Sequence, residues 1–165
     1  MRTPQSITAY LALGANLGDR EGNIRNAVEQ LGTTPGVQIG RMSRLIETAA
    51  QGMDEDSPPF LNAALEIQTS LAAHPLLRRM MEVEQSLGRQ RRDKWASRPI
   101  DLDLLLYGNH ILSSQELVVP HPLMHERRFV LEPLAEIAPL FVHPTLQMTI
   151  SGLLENLNSG ASLDR

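Results

Sequence analysis

The sequence predicts an α+β fold, a ferredoxin-like split βαβ sheet with additional strands and helices at its C-terminal end. The first observation behind this prediction is the order of the apolar patterns, which reads strand, helix, strand, strand, helix, strand (βαββαβ). The second is that the 165 residues contain no internal repeat, low-complexity segment or clear domain boundary. A chain of this length can bury one core. We therefore expect residues 1–165 to form a single domain.

The N-terminal part of the chain predicts a strand, a helix and a second strand. Apolar residues alternate over residues 7–13, and Asp19 can cap a helix that ends at Gly32. Residues 14–19 join the two and contain glycines, but they lack the lysine of a P-loop and the third glycine of a dinucleotide fingerprint. A tight turn is the better interpretation of these residues. The second strand is expected from residue 37 to about residue 47.

The middle of the chain predicts a polar loop, a third strand and a second helix. Residues 49–59 are polar and proline-rich, which is typical of an exposed, mobile loop. Residues 60–68 alternate as a strand with one polar face, and Pro75 opens a helix that ends at Gly88. Glu84 lies at the edge of the apolar stripe of this helix, where a carboxylate is usually solvated.

Asp101 and Asp103 place two carboxylates inside an otherwise apolar strand that begins after Pro99. Alternate residues of a strand point the same way. One face is therefore predicted to carry Asp101, Asp103, Leu105 and Tyr107, and the other Ile100, Leu102, Leu104 and Leu106. Unpaired buried carboxylates are costly, so a positive group is expected beside them. A divalent cation and the guanidinium of Arg98 are both candidates.

A basic run precedes the two aspartates. Residues 89–98 carry five cations, one anion and the single tryptophan of the chain. Such a run is most often a solvated loop. Its position between a helix end and the strand of Asp101 and Asp103 favours another interpretation, because arginines bind phosphate oxygens and acids hold the bridging metal. The pattern is typical of an enzyme that acts on a magnesium polyphosphate.

The C-terminal part adds short elements to the predicted sheet. His121 stands between two prolines, so it is held in an extended segment, either as a rigid surface turn or as a donor to phosphate. Residues 124–131 have a helical pattern, and residues 150–157 predict a small amphipathic helix. Residues 158–165 are expected to form a frayed tail.

Composition narrows the class of protein. The chain has no cysteine, a net charge of −4 and ordinary globular proportions, with 42% hydrophobic and 21% charged residues. It has no apolar run that could span a membrane and no signal-peptide core at its N-terminus, so a cytoplasmic protein without a membrane partner is expected. The alternative class is a non-catalytic nucleic-acid-binding module on the same sheet. That class would need a basic surface and exposed aromatics on its central strands, which this sequence does not predict.

Several motifs together resemble the 6-hydroxymethyl-7,8-dihydropterin pyrophosphokinases of folate biosynthesis. The resemblance runs along most of the chain, through residues 13–19, 60–64, 84–89, 98–103, 120–122 and 127–129. It implies an ATP-dependent pyrophosphokinase that transfers the β,γ-pyrophosphate of ATP to the pterin hydroxymethyl group and releases AMP. It also implies two Mg²⁺ ions as cofactors, with ATP and the pterin as partners. We expect a monomer that binds no nucleic acid.

The resemblance also implies a role for individual residues. Asp101 and Asp103 would hold the two Mg²⁺ ions and, with Arg89 and Arg91, form the catalytic group. The expected nucleotide-binding residues are Glu84, Trp95, Arg98, His121 and Arg127. The expected pterin-binding residues are Thr48, Phe60, Asn62 and Phe129. The chain departs from the common family pattern at residues 49–51, at Pro122 and at Leu123.

Overall fold

The computed structural model describes residues 6–48, 59–88 and 99–160. Its strands are β1 Ile7–Ala15, β2 Val37–Met42, β3 Ile46–Thr48, β4 Phe60–Thr69, β5 Asp101–Tyr107, β6 Leu112–Ser113 and β7 Val118–Val119. Its α-helices are α1 Arg20–Gly32, α2 Ala73–Ser86, α3 Arg128–Ile137 and α4 Ile150–Asn158, and a 3₁₀ helix spans Met124–Glu126. None of these helices has the length and apolarity needed to cross a membrane.

The main sheet is antiparallel and has helices on both of its faces. Its strand order is β2-β4-β1-β5, and β3 pairs with β4 beyond the end of β2. Strands β6 and β7 form a separate two-stranded sheet. Helices α1 and α2 pack on one face of the main sheet, and α3 and α4 pack on the other. The predicted mixture of helices with an antiparallel sheet is therefore confirmed.

The core between the sheet and the first two helices follows the predicted alternation. Leu11 and Leu13 of β1 are almost fully buried against Ile24 of α1 and Met80 of α2. Asp19 caps α1 as predicted, because its side chain accepts a hydrogen bond from the amide of Gly22 at 3.0 Å. Apolar periodicity and one cap thus account for this layer of the fold.

The prediction of one continuous strand over residues 37–47 is wrong. The pairing register with β4 shifts between Ile39 and Met42, and β2 ends before β3 begins. Ser43 bridges the interruption: its amide donates to Ala64 O at 2.9 Å, and its hydroxyl oxygen accepts from Ala64 N at 2.8 Å. The side chain replaces a backbone partner, so the strand breaks without leaving the buried amide of Ala64 unbonded.

The prediction of β5 is correct in extent and only partly correct in its faces. Tyr10 pairs with Leu106 and Leu11 pairs with Leu104, which leaves Leu105 as an extra residue opposite β1. This β-bulge reverses the alternation beyond it. Tyr107 therefore packs in the core under α1 and α2, and Leu106 faces α3 and α4. The bulge lies after Asp103, so the two aspartates still share one face.

Two further predictions concern the C-terminal part and the loops. The helix predicted for residues 124–131 is interrupted, because Arg127 is extended between the 3₁₀ helix and α3, which then continues through Pro133. Asn158 ends α4, and residues 161–165 of the predicted tail lie outside the described residues. Residues 49–58 of the predicted polar loop also lie outside them.

A buried histidine predicts that stability falls in mild acid. The His143 side chain is 4% exposed, and its Nδ1 accepts hydrogen bonds from the amides of Thr145 and Leu146 at 3.2 and 3.0 Å. Burial first, and then the neighbouring His125, hold the pKa of His143 below its usual value of 6.5. The unfolded chain therefore binds a proton more readily than the folded chain as pH falls below 6.5, and unfolding becomes more favourable. We expect the melting temperature to fall between pH 7.5 and pH 5.5.

The variant His143→Asn tests this expectation. Its side-chain oxygen can still accept from the loop amides but does not titrate, so the fall in melting temperature should be smaller than in the unmodified protein. An undiminished acid destabilisation in His143→Asn would contradict the assignment.

Candidate active site

The residues expected to act together lie on one face of the sheet, where β5, β1 and β4 run side by side. In the pairing register Gly14 is opposite Asp101 on one side and Asn62 on the other, and Ala12 is opposite Asp103. Directly paired residues of neighbouring strands project to the same face. This face lies towards α3. It carries the carboxylates of Asp101 and Asp103 on the β5 side of Gly14 and the amide of Asn62 on the β4 side. We call it the site face.

Asp101 and Asp103 fit the ligand chemistry of Mg²⁺. Both side chains are partly exposed on the site face. The described part of the chain holds no cluster of three or more histidine, cysteine or acidic residues that could bind a metal ion. Mg²⁺ is commonly held by only one or two carboxylates and takes its remaining ligands from water and substrate phosphates. The pair of aspartates is sufficient for such a site once a polyphosphate is bound.

Glu84 lies behind the two aspartates and is not solvated, so its interpretation as a solvated boundary residue is wrong. It is 3% exposed, and its Oε2 accepts a hydrogen bond from the amide of Leu102 at 2.8 Å. In the described sheet β5 is an edge strand, so this carboxylate takes the place of a neighbouring strand. Because Leu102 stands between the two aspartates, the bond fixes the backbone from which both of them project.

His121 is tied to the β5 bulge. Its amide donates to Leu105 O at 2.9 Å, and its ring Nδ1 accepts from the amide of Leu123 at 3.2 Å. Burial and the charge of Arg127 lower the pKa of His121, while Asp101 acts in the opposite direction. In the neutral ring the proton is therefore on Nε2, which can donate to a ligand. This geometry favours the interpretation as a donor over that of a surface turn.

Aromatic and amide groups line the other side of the site face. Thr48 pairs with Phe60 across β3 and β4, and Asn62 Nδ2 donates to Thr48 Oγ1 at 2.7 Å. Phe129 lies in the first turn of α3, with the guanidinium of Arg127 5.6 Å from the centre of its ring. Two partly exposed aromatic rings and a held amide can bind a flat heterocycle with polar edges.

Gly14 lies on the site face between Asn62 and Asp101, whereas its sequence context predicts only part of a turn. Its backbone is ordinary strand, so no unusual torsion angle requires glycine there. A Cβ atom at this position would lie 3.2 Å from Asn62 Oδ1 and 3.6 Å from Phe60 Cδ1. Glycine therefore lets the side chains of Asn62 and Phe60 lie close to β1 on the site face.

The sequence of this chain matches a known protein family. Residues 10–139 match the family model of the 7,8-dihydro-6-hydroxymethylpterin-pyrophosphokinases. The chain belongs to this family. The membership confirms the predicted enzyme class, an ATP-dependent pyrophosphokinase of folate biosynthesis.

Two relatives and one solved structure illustrate the similarity of this pyrophosphokinase to known proteins. It is 46% identical over 129 residues to the 2-amino-4-hydroxy-6-hydroxymethyldihydropteridine pyrophosphokinase of Bacillus subtilis (strain 168), covering 78% of this chain and 77% of that protein. It is 41% identical over 137 residues to the enzyme of the same description from Aquifex aeolicus (strain VF5), covering 83% and 84%. The fold is similar to a crystal structure of Plasmodium falciparum HPPK-DHPS A437G with SDX-DHP, with a TM-score of 0.75 at 15% identity. The match covers 95% of this chain and 46% of that one, so the pyrophosphokinase spans less than half the length of that chain.

The structure brings together most of the residues expected in the pyrophosphokinase site. Nine of them lie around the site face or directly behind it: Thr48, Phe60, Asn62, Glu84, Asp101, Asp103, His121, Arg127 and Phe129. The other four lie outside the described residues, namely Arg89, Arg91, Trp95 and Arg98. The alternative in which Arg98 neutralises the aspartates is therefore not tested.

Proposed function

We propose that this pyrophosphokinase binds 6-hydroxymethyl-7,8-dihydropterin on the site face and the triphosphate of ATP in front of Asp101 and Asp103. The observation that carries the proposal is the row formed by Asp101, Gly14 and Asn62 across three neighbouring strands. It sets an acidic, metal-compatible group and an amide on either side of a residue that has no side chain. This is the order of groups needed to bring a polyphosphate to a substituent of a flat ring.

In the proposed reaction the hydroxymethyl oxygen attacks the β-phosphorus of ATP. The bond between that phosphorus and the oxygen bridging it to the α-phosphorus breaks, so AMP leaves and the hydroxyl proton passes to solvent. Asp101 and Asp103 would hold two Mg²⁺ ions. When bound, such ions offset the negative charge of the triphosphate and help to align the attacking oxygen.

Side chains of the pyrophosphokinase orient the two substrates. Phe60 and Phe129 provide aromatic faces for the pterin, and Asn62, held by Thr48, bonds its polar edge. His121 donates from Nε2 to a phosphate oxygen, and Arg127 adds a positive charge beside it. Glu84 contributes at the nucleotide end by holding the strand of the two aspartates.

Family similarity supports roles for the remaining residues. Arg89 and Arg91 would supply cations to the reacting phosphates, and Trp95 and Arg98 would contact the nucleotide. Arginine forks suit phosphate oxygens, and the charge that develops in phosphoryl transfer is stabilised by such groups.

The finer description of the fold and its setting is also part of the proposal. The strand order β5-β1-β4-β2 supports a ferredoxin-like split βαβ sheet, with β3 as an extension of β2. The net charge of −4 supports a protein that does not bind nucleic acid. We further propose a cytoplasmic monomer.

Product analysis tests the proposed reaction. With ATP, Mg²⁺ and 6-hydroxymethyl-7,8-dihydropterin, we expect AMP and the pterin diphosphate in equal amounts, measured by anion-exchange chromatography. Omission of the pterin should leave ATP intact. ADP in place of AMP would indicate an ordinary kinase, and retention of RNA without nucleotide turnover would favour the nucleic-acid-binding module.

A further inference from the structure

Glu136, in the last turn of α3, forms hydrogen bonds to the connector between β2 and β3, residues 43–45. Its Oε1 accepts a hydrogen bond from the backbone amide of Arg44 at 2.8 Å, and its Oε2 accepts one from Arg44 Nε at 3.0 Å. One residue thus bonds both oxygens of the carboxylate, across a sequence separation of 92 residues. We call this pair of bonds the Arg44 bracket.

The bonds of the Arg44 bracket differ in how firmly they are placed. The Arg44 side chain is 78% exposed, and an exposed guanidinium pair alone contributes little. The backbone amide of Arg44 is less free to move than its side chain, because the neighbouring Ser43 is held to Ala64 of β4 by two hydrogen bonds. The bond from this amide is also the first cause of the lowered pKa of Glu136. The backbone half of the bracket is therefore the stronger half.

Each end of the Arg44 bracket leads to one wall of the proposed pterin site. The connector runs directly into β3, where Thr48 holds the amide of Asn62. Glu136 is seven residues along α3 from Phe129, two helical turns or about 10 Å, and on the same side of the helix. The bracket therefore fixes α3, which carries Phe129, against the strands that carry Phe60 and the amide of Asn62.

We propose that Glu136 is a positioning residue for pterin binding, acting through its bond to the backbone of Arg44 to set the separation between Phe129 and Asn62. The inference rests on the proposed function, because it takes these two residues as walls of the pterin site. Glu136 itself touches neither substrate. Its loss should affect the pterin much more than the nucleotide, since His121 and the two aspartates are held by other bonds.

The test compares variants for their affinity for 6-hydroxymethyl-7,8-dihydropterin. Titration calorimetry is done with Mg²⁺ and saturating α,β-methylene-ATP, which cannot release AMP. For Glu136→Ala we expect about a fivefold rise in the Kd and KM of the pterin, with the KM of ATP changed less than about twofold. Glu136→Gln keeps an acceptor for the Arg44 amide and should recover much of the affinity. Arg44→Ala removes only the exposed guanidinium and should have the smallest effect of the three.

A surface ion pair elsewhere provides the matched control. Glu21 pairs with Arg25 on the exposed side of α1 at 2.9 Å, so Glu21→Ala removes a similar carboxylate without touching the site face. Glu21→Ala should leave the Kd and KM of the pterin and the KM of ATP unchanged. The proposal is overturned if Glu136→Ala binds the pterin normally. It is also overturned if the variant loses affinity for the pterin and for ATP by the same factor, because a general loss of stability would have that effect. Failure of the unmodified enzyme to bind the pterin would instead refute the proposed function.

Discussion

Replacing Asp101 or Asp103 with alanine is expected to lower turnover by about 10³-fold or more while the chain remains folded. The two carboxylates are the proposed metal ligands and share the site face, and the described residues contain no cluster of three or more histidine, cysteine or acidic side chains that could bind the metal instead. Removing one leaves the triphosphate charge poorly compensated. The loss should appear in kcat, measured at saturating ATP and pterin, because the metal acts on the reacting phosphate.

Magnesium dependence and stability separate this expectation from simple unfolding. Both variants should keep the far-ultraviolet circular dichroism and approximate melting temperature of the unmodified enzyme, since both side chains are partly exposed and belong to neither hydrophobic core. Glu132→Ala, which removes an exposed carboxylate from α3, is the control and should be fully active. Near-normal turnover of either aspartate variant at saturating Mg²⁺ would refute the metal assignment.

The second large effect is expected at Gly14, where a valine should lower kcat/KM for the pterin by about 10²-fold. Even the first atom of a side chain would lie 3.2 Å from Asn62 Oδ1 and 3.6 Å from Phe60 Cδ1, so the branched methyl groups would displace two side chains that are proposed to bind the pterin. The fold should persist, because the backbone of Gly14 is extended and valine favours strands. Steady-state kinetics with each substrate varied in turn measure the effect.

A matched substitution on the same strand isolates the effect of crowding Asn62 and Phe60. Thr8 lies six residues before Gly14 on β1 and, by strand alternation, on the same face, but it pairs with Gln68 away from the site. Thr8→Val should leave pterin kinetics unchanged. If Gly14→Val keeps normal affinity for the pterin, or Thr8→Val loses as much, Gly14 does not line the binding site.

The fold and the aspartate pair could be predicted because their signals are local. Pro99 and the Gly108 turn bound β5, and alternation alone puts Asp101 and Asp103 on one face. The position of Tyr107 could not be predicted in the same way. Its side depends on the extra residue at Leu105, and that bulge exists only in the pairing of β5 with β1.

Other features of the site depend on contacts between distant segments. Glu84 has the local pattern of a boundary residue, and nothing in that pattern reveals that an edge amide of β5 needs an acceptor. The bond between Glu136 and Arg44 spans 92 residues and has no local signature. Family resemblance supplied the residues expected in the pterin and nucleotide sites, whereas the geometry shows that Asn62 and Phe60 lie where a side chain at Gly14 would crowd them.

The most direct test of the proposed mechanism is a crystal structure grown with α,β-methylene-ATP, the pterin and Mn²⁺ in place of Mg²⁺. We expect two anomalous-scattering peaks between the triphosphate and the carboxylates of Asp101 and Asp103, at metal-to-oxygen distances of about 2.0–2.2 Å. If that space contains no metal and both carboxylates bond only to arginines of the protein, the proposed metal-assisted transfer is wrong.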